Sequence, residues 1–409
     1  MMARGSVVCL VLLFAVGSGW PAGERHQYAI RAGKIVTITK GTINRGVILV
    51  SDGKIEALGP ADEVEIPDGY TVVDASDKWV MPGMIDIHSH AGTQGGINDM
   101  VCQTNPGMRL GDGVDPESQT VEAALAWGVT TLQTVPGSGT NHSGFGVIFK
   151  TAGATKQERL IRRVGVLKIA QGYNPERRGG DIGASRMGMT WLLREHLGRE
   201  KAYDSAWTAH ERGERRERPE RDIGMEMARA VFHAEMPVLV HTYDSWGTMM
   251  TMRMFHDEFG LKAIGSHAGY KGHMVAEEAG KRDFPINIGP RVIDFGGAAD
   301  NRFYGMIPTY AQAGAKELSV NTDAFGLTQA FLANKAAMAA RFGLGDEDAL
   351  KLVTINAARA LLLDDRIGSI EVGKDADLVI KQGSLLDAST PVEMVFVNGK
   401  IAYDMRAGD

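Results

Sequence analysis

Residues 81–90, MPGMIDIHSH, end an apolar run in two histidines one residue apart. Side chains alternate faces along a strand, so His88 and His90 point the same way. Two imidazoles on one face at a strand's end can share one divalent metal. The pair gains weight from three later runs: residues 237–241 (PVLVH), 261–267 (LKAIGSH) and 318–323 (LSVNTD). Each is a short apolar segment with a ligand-type residue last. His88, His90, His241, His267 and Asp323 therefore all sit at candidate strand C-termini. In a (β/α)8 barrel those ends converge on one rim, where active sites are built. Taken singly, each histidine reads as an ordinary core or surface residue. Five in one register read as a site.

Those five residues need a scaffold, and the rest of the chain supplies one. The 409 residues suffice for a large barrel plus a smaller satellite. Hydrophobic content of 44% and charged content of 23% are those of a globular protein. The formal net charge of -6 argues against a general nucleic-acid binder. The middle of the chain alternates strand and helix patterns, as parallel α/β architecture does. Expected barrel strands are residues 85–90, 130–135, 147–150, 164–169, 238–241, 263–267, 286–288 and 318–323. The third can also be read as a hairpin beside the rim, because Gly137, Gly139, Gly144 and Gly146 crowd it. Residues 248–259, 327–342 and 349–363 fit helices that cover the barrel. Residues 211–222 form a mixed-charge run that suits a solvated connection.

Both ends of the chain have short strands instead. Residues 35–39, 46–50, 54–58 and 71–73 lie at one end, and 377–380, 392–397 and 400–403 at the other. Asp52-Gly53 and Asn398-Gly399 are strong hairpin turns. The simplest arrangement is one β-sandwich built from both termini with the barrel inserted between them. The expected boundaries are 23–80 and 366–409 for the sandwich and 81–365 for the barrel.

Residues 1–22 differ in character. Arg4 precedes an apolar core at residues 7–16, and Gly17 and Gly19 follow. This reads as a secretory signal, too short to span a bilayer comfortably. The expectation is an exported protein, periplasmic or extracellular, without stable membrane insertion once the signal is removed. Cys102 would then be the only cysteine, which excludes an intramolecular disulfide. It reads as a small packed side chain.

The chain resembles the amidohydrolase superfamily of metal-dependent hydrolases, in particular its imidazolonepropionase-like branch. The residues that carry the likeness are 80–90, Gly128 to Thr131 (GVTT), His241, His267, Asp323, 354–361 (TINAARAL) and 367–379 (IGSIEVGKDADLV). Ala357 stands where relatives often have proline. The resemblance implies a (β/α)8 TIM barrel with a small composite β-sandwich. It also implies a divalent metal, with zinc expected, at one or two ions per chain. A metal lowers the pKa of bound water to about 7 and polarises a carbonyl. His88 and His90 would hold the first ion and Asp323 would ligate it or hydrogen-bond the hydroxide. The family role of this aspartate is proton shuttle. His241 is the next ligand. His267 either completes a second metal site or donates to the carbonyl oxygen. Lys168 stands where binuclear relatives carry a bridging carboxylated lysine, and a plain lysine paired with a carboxylate is the alternative.

Substrate contacts are expected from His142 in a flexible glycine-rich loop at the rim, and from Tyr173 and Arg177 after the fourth strand. An arginine there could grip a carboxylate. The spacing of His241 and Asp244 resembles the His-x-x-Glu of deaminating relatives. The expected activity is hydrolysis of the C–N bond of an amide, cyclic amide or small peptide. Aminohydrolysis of a heterocycle and non-catalytic ligand binding are the alternatives. The partner is a small molecule, and a homo-oligomer is compatible with the sequence.

Overall fold

Both ends of the chain contribute to a seven-stranded sheet. We describe it from a computed structural model covering residues 26–177, 182–294, 303–324 and 326–408. The expected signal segment, 1–22, lies outside the described residues. The first four strands are β1 (Tyr28–Val36), β2 (Thr42–Ser51), β3 (Lys54–Pro60) and β4 (Thr71–Pro82). The turn between β2 and β3 holds Asp52 at φ 49° and Gly53 at φ 82°. Left-handed conformation at both central residues is what a tight hairpin requires, and Asp-Gly supplies it cheaply.

The barrel strands follow: β5 (Met84–Ser89), β6 (Val129–Thr134), β7 (His142–Lys150), β8 (Leu160–Ala170), β9 (Val238–His241), β10 (Ala263–His267) and β11 (Ile286–Ile288). A short hairpin of β12 (Ile293–Asp294) and β13 (Tyr304–Gly305) precedes the last barrel strand, β14 (Leu318–Val320). The chain then returns to the first sheet with β15 (Leu378–Lys381), β16 (Val392–Val397) and β17 (Lys400–Asp404).

The terminal sheet has the order β17-β16-β15-β4-β1-β2-β3. Its core mixes Ile30, Ile35, Ile48 and Val80 from the N-terminal half with Leu378, Ile380 and Phe396 from the C-terminal half. Neither half could bury its apolar face alone. A buried ionic joint links this sheet to the barrel. Lys150, on β7, reaches Asp375 at 3.1 Å and also pairs with Asp377. Lys54 and Arg366 meet the same Asp375 at 2.6 and 2.9 Å.

The barrel sheet has the order β14-β11-β10-β9-β8-β7-β6-β5. The segment after β14 closes it against β5, where Asp323 N donates to His88 O at 3.1 Å and His90 N donates to Ala324 O at 2.9 Å. Seven strands run parallel and β7 runs against both neighbours. The third strand is therefore real, longer than expected, and inverted. Its glycines answer to crowding. A Cβ on Gly144 would lie 2.6 Å from Met108 O, and one on Gly146 would lie 2.7 Å from Thr134 O. Glycine inside a strand marks such close backbone approach.

Alternation aligns Val166 with Lys168, Leu239 with His241 and Ile264 with Ser266. Val166, Leu239 and Ile264 belong to one apolar cluster, and the polar members of these pairs lie one step closer to the rim. A long helix, Arg186–Glu211, covers part of the wall and buries Met189, Leu193 and Leu197. Residues 212–222 are largely exposed, as their charge suggests. Cys102 corrects an expectation, because it is exposed rather than packed.

Candidate active site

Three of the five strand-end residues meet directly. His90 Nε2 lies 3.2 Å from an Asp323 carboxylate oxygen and His88 Nε2 lies 3.5 Å from the same oxygen. His88 and His90 are buried, while the Asp323 side chain keeps 32% of its surface open. The other ring nitrogen of each histidine is anchored. His88 Nδ1 meets Ser266 Oγ at 2.6 Å and His90 Nδ1 meets Val135 O at 2.8 Å. Anchoring the far nitrogen fixes ring orientation and leaves Nε2 for a ligand.

His241 and His267 complete the ring of imidazoles. The His267 ring lies 4.4 Å from that of His241 and 4.7 Å from that of His88, centroid to centroid. His267 Nδ1 pairs with Gly289 O, while His267 Nε2 and both nitrogens of His241 are buried without a partner. Buried polar atoms rarely stay unpaired, and an unmade hydrogen bond costs about 1–3 kcal/mol. Three such nitrogens beside two histidines and a carboxylate suit a divalent cation, so the donor set fits the metal the sequence implies. His267 and Asp323 adopt φ of 71° and 52°. Non-glycine residues pay for this conformation, and such strain concentrates at functional sites.

Lys168 is fully buried, with Nζ 2.7 Å from His88 Nε2. Among the described residues no carboxylate hydrogen-bonds it, which counts against the plain lysine–carboxylate pair. Burial pushes its pKa down to about 7 against the opposing pull of the Asp323 carboxylate. Burial also holds His88 and His241 well below 6.5, helped by neighbouring cationic groups. At Asp323 burial favours the acid form. The His90 hydrogen bond and the surrounding imidazoles outweigh it and hold the carboxyl below its usual range.

A cavity of about 280 Å³ opens above these residues, lined by His241, His267, Asp323, Tyr173, Tyr243 and Tyr270 among others. The three tyrosines form a stack. Tyr173 and Tyr243 lie 4.7 Å apart at 18°, and Tyr243 and Tyr270 lie 5.3 Å apart at 23°. Arg291 lines the same cavity, its guanidinium 5.9 Å from the Tyr270 ring.

Tyr173 is therefore at the cavity as expected. The Arg177 side chain lies outside the described residues. His142 is a correction: it is buried on β7 and its Nε2 meets Glu200 of the long helix at 3.1 Å. The glycine spacing suggested a flexible loop, whereas tight strand packing is the reason for it. Asp244 is a second correction. Its side chain caps the helix Ser245–Thr251 through Gly247 N at 2.9 Å and pairs with Arg186 at 2.9 Å. A carboxylate so engaged is a helix cap, not a deaminase acid.

Sequence reading missed two supports. Asp86 accepts from His88 N at 3.1 Å and Thr322 N at 3.2 Å, and also from Thr322 Oγ1, so it ties β5 to the segment that carries Asp323. Burial pushes its pKa up to about 7. Its position two before His88, on the same strand face, was the available signal. Ser266, next to His267, carried no signal beyond that adjacency.

The family model described as "Amidohydrolase family" matches residues 297–402. The amidohydrolase tasK of Hapsidospora irregularis is 24% identical over 88% of this chain, which spans only 39% of that protein's length. The imidazolonepropionase of Rhizobium rhizogenes is 26% identical over 87% of this chain and 89% of its own. The crystal structure of an amidohydrolase from Thermotoga maritima superposes with a TM-score of 0.82 at 28% identity, covering 92% of this chain and all of that one.

Proposed function

The chain belongs to the amidohydrolase superfamily, in its imidazolonepropionase-like branch, and from that premise we propose a hydrolase of carbon–nitrogen bonds in amides, cyclic amides or small peptides. The observation that carries the proposal is the meeting of His88, His90 and Asp323 below an open cavity. These three residues would hold one divalent cation, zinc in our reading. His241 and His267 would hold a second, with Lys168 bridging as its carbamate. A cation there would lower the pKa of water to about 7 and polarise the scissile carbonyl.

The chain's own groups supply the remaining steps. Asp323 is ionised, partly open and at the cavity floor, so it can accept a proton from the attacking water. Handing that proton to the departing nitrogen makes the amine a competent leaving group. If His267 is not a ligand, its unpartnered Nε2 is placed to donate to the developing oxyanion. The tyrosine stack offers a flat apolar wall and Arg291 a cation, which suits a small planar or carboxylate-bearing substrate. Capping by Asp244 removes the feature that favoured aminohydrolysis.

Export as a periplasmic or extracellular enzyme is part of the same reading, with residues 1–22 as the removed signal. Among the described residues no helix is long and apolar enough to cross a membrane.

The test is turnover of the metal-loaded protein on a panel of amides, dipeptides and lactams. Opening of an amide, lost on chelation and restored by zinc, is expected. Ammonia release from aminated heterocycles without amide opening would assign an aminohydrolase instead. Tight metal binding without turnover across the panel would make the chain a binding protein.

A further inference from the structure

A second group of metal-ligand side chains lies between the barrel wall and the long helix. His142 projects from β7, and His196 and Glu200 project from the helix Arg186–Glu211. Four residues apart, His196 and Glu200 share one helix face. All three are buried. We propose that His142, His196 and Glu200 bind a divalent cation in a closed structural site separate from the rim.

The distances fit a shared ion. His142 Nε2 and His196 Nε2 lie 3.1 and 3.3 Å from the same Glu200 oxygen. Donors about 2.0–2.1 Å from a tetrahedral ion sit roughly 3.3 Å from one another. His142 Nε2 has hydrogen-bond geometry to the carboxylate, whereas His196 Nε2, buried and in ion-pair range of the same oxygen, lacks that geometry and has no other hydrogen-bond partner. The second Glu200 oxygen and His142 Nδ1 are likewise unpartnered. Beside His142, Gln103 accepts its backbone amide at 3.0 Å, and both polar atoms of the Gln103 side chain are buried and unpaired. Among these, His196 Nε2 and the second Glu200 oxygen belong to the ligands' own binding groups and point to a missing partner.

The surroundings exclude the rim chemistry. His142 pairs in register with Ile169, the neighbour of Lys168, and its ring stands 6.1 Å from Phe145 and 4.9 Å from His196. Phe145, Leu193 and Leu197 belong to the apolar core around it. Three protein ligands leave a fourth position on the ion, but burial of all three closes it to substrate, so the ion would hold the helix against the inverted strand.

The test is metal content per chain, by elemental analysis of full-length protein purified after growth in zinc-supplemented medium. A His88→Ala/His90→Ala chain is expected to retain the equivalent held by Glu200, and adding Glu200→Gln should lower its metal content by one. Glu200→Gln keeps the side chain's shape and its hydrogen-bonding capacity but withdraws the anionic ligand. Equal metal content with and without Glu200→Gln overturns the proposal. His196→Ala provides the second variant should Glu200→Gln not fold, with loss of the same equivalent expected and unchanged content overturning. The rim proposal fails by a different sign, namely turnover that survives in the His88→Ala/His90→Ala chain.

Discussion

Lys168 Nζ lies 2.7 Å from His88 Nε2, with both side chains fully buried at the centre of the barrel. Carbamate formation from carbon dioxide requires an uncharged amine, and burial has brought Lys168 down to about 7. Protein equilibrated with ¹³C-bicarbonate should show a carbamate carbon by NMR that is absent from Lys168→Ala. The substitution should also release one ion when metal is counted in the Glu200→Gln background. An unmodified lysine with unchanged metal content would remove Lys168 from the metal site.

Asp323 combines an oxygen within reach of both rim histidines with partial exposure to the cavity. Asp323→Asn keeps the shape and removes the base. kcat should fall by about 10²–10⁴-fold, the usual worth of general acid–base catalysis. A smaller loss, with the metal still bound, would give the proton transfer to another group.

The buried histidines set the acid side of the stability profile. His88 and His241 fold with rings held well below 6.5, chiefly by burial. Unfolded, they titrate near 6.5. Below that pH the unfolded chain binds the extra protons, so stability falls as pH falls and is unaffected above it. Metal release has the same sign, because protonated imidazole does not ligate. The unfolding free energy of the parent minus that of a His241→Asn chain, from denaturant titrations between pH 8 and pH 5, should be flat above about 7 and then decline by up to about 1.4 kcal/mol per pH unit.

The ionic joint between barrel and terminal sheet gives a prediction away from the site. Asp375 receives Lys54, Lys150 and Arg366, and the Lys150 side chain is only 1% exposed. Asp375→Asn leaves the buried Lys150 and the half-exposed Lys54 and Arg366 short of one anion. The expected cost is about 3 kcal/mol in equilibrium unfolding, since breaking one side of a buried pair strands the other. Asp377 remains to hold Lys150, which keeps the cost near the lower end.

How much of this was readable depended on whether a local pattern carried the spatial answer. His88, His90, His241, His267 and Asp323 lie at or just past the ends of apolar strands, and a barrel gathers strand ends by construction. The hairpins at Asp52-Gly53 and Asn398-Gly399 were likewise local, and both appear with positive φ. His142 was misread because glycine-rich sequence serves both loops and crowded strands. Only the neighbours, Met108 O against Gly144 and Thr134 O against Gly146, tell the two apart. Asp244 was ambiguous for a similar reason, since a helix cap and a catalytic acid use the same residue after a strand. The site formed by His142, His196 and Glu200 joins a strand to a helix more than fifty residues away, and no spacing in the sequence announces it.

The most direct test of the central claim is zinc content and amide turnover, measured together, in His88→Ala/His90→Ala protein whose circular dichroism matches the parent. The account predicts loss of the rim-bound zinc and of all detectable hydrolysis, with the equivalent held by Glu200 still present. Full metal content with undiminished hydrolysis would contradict it.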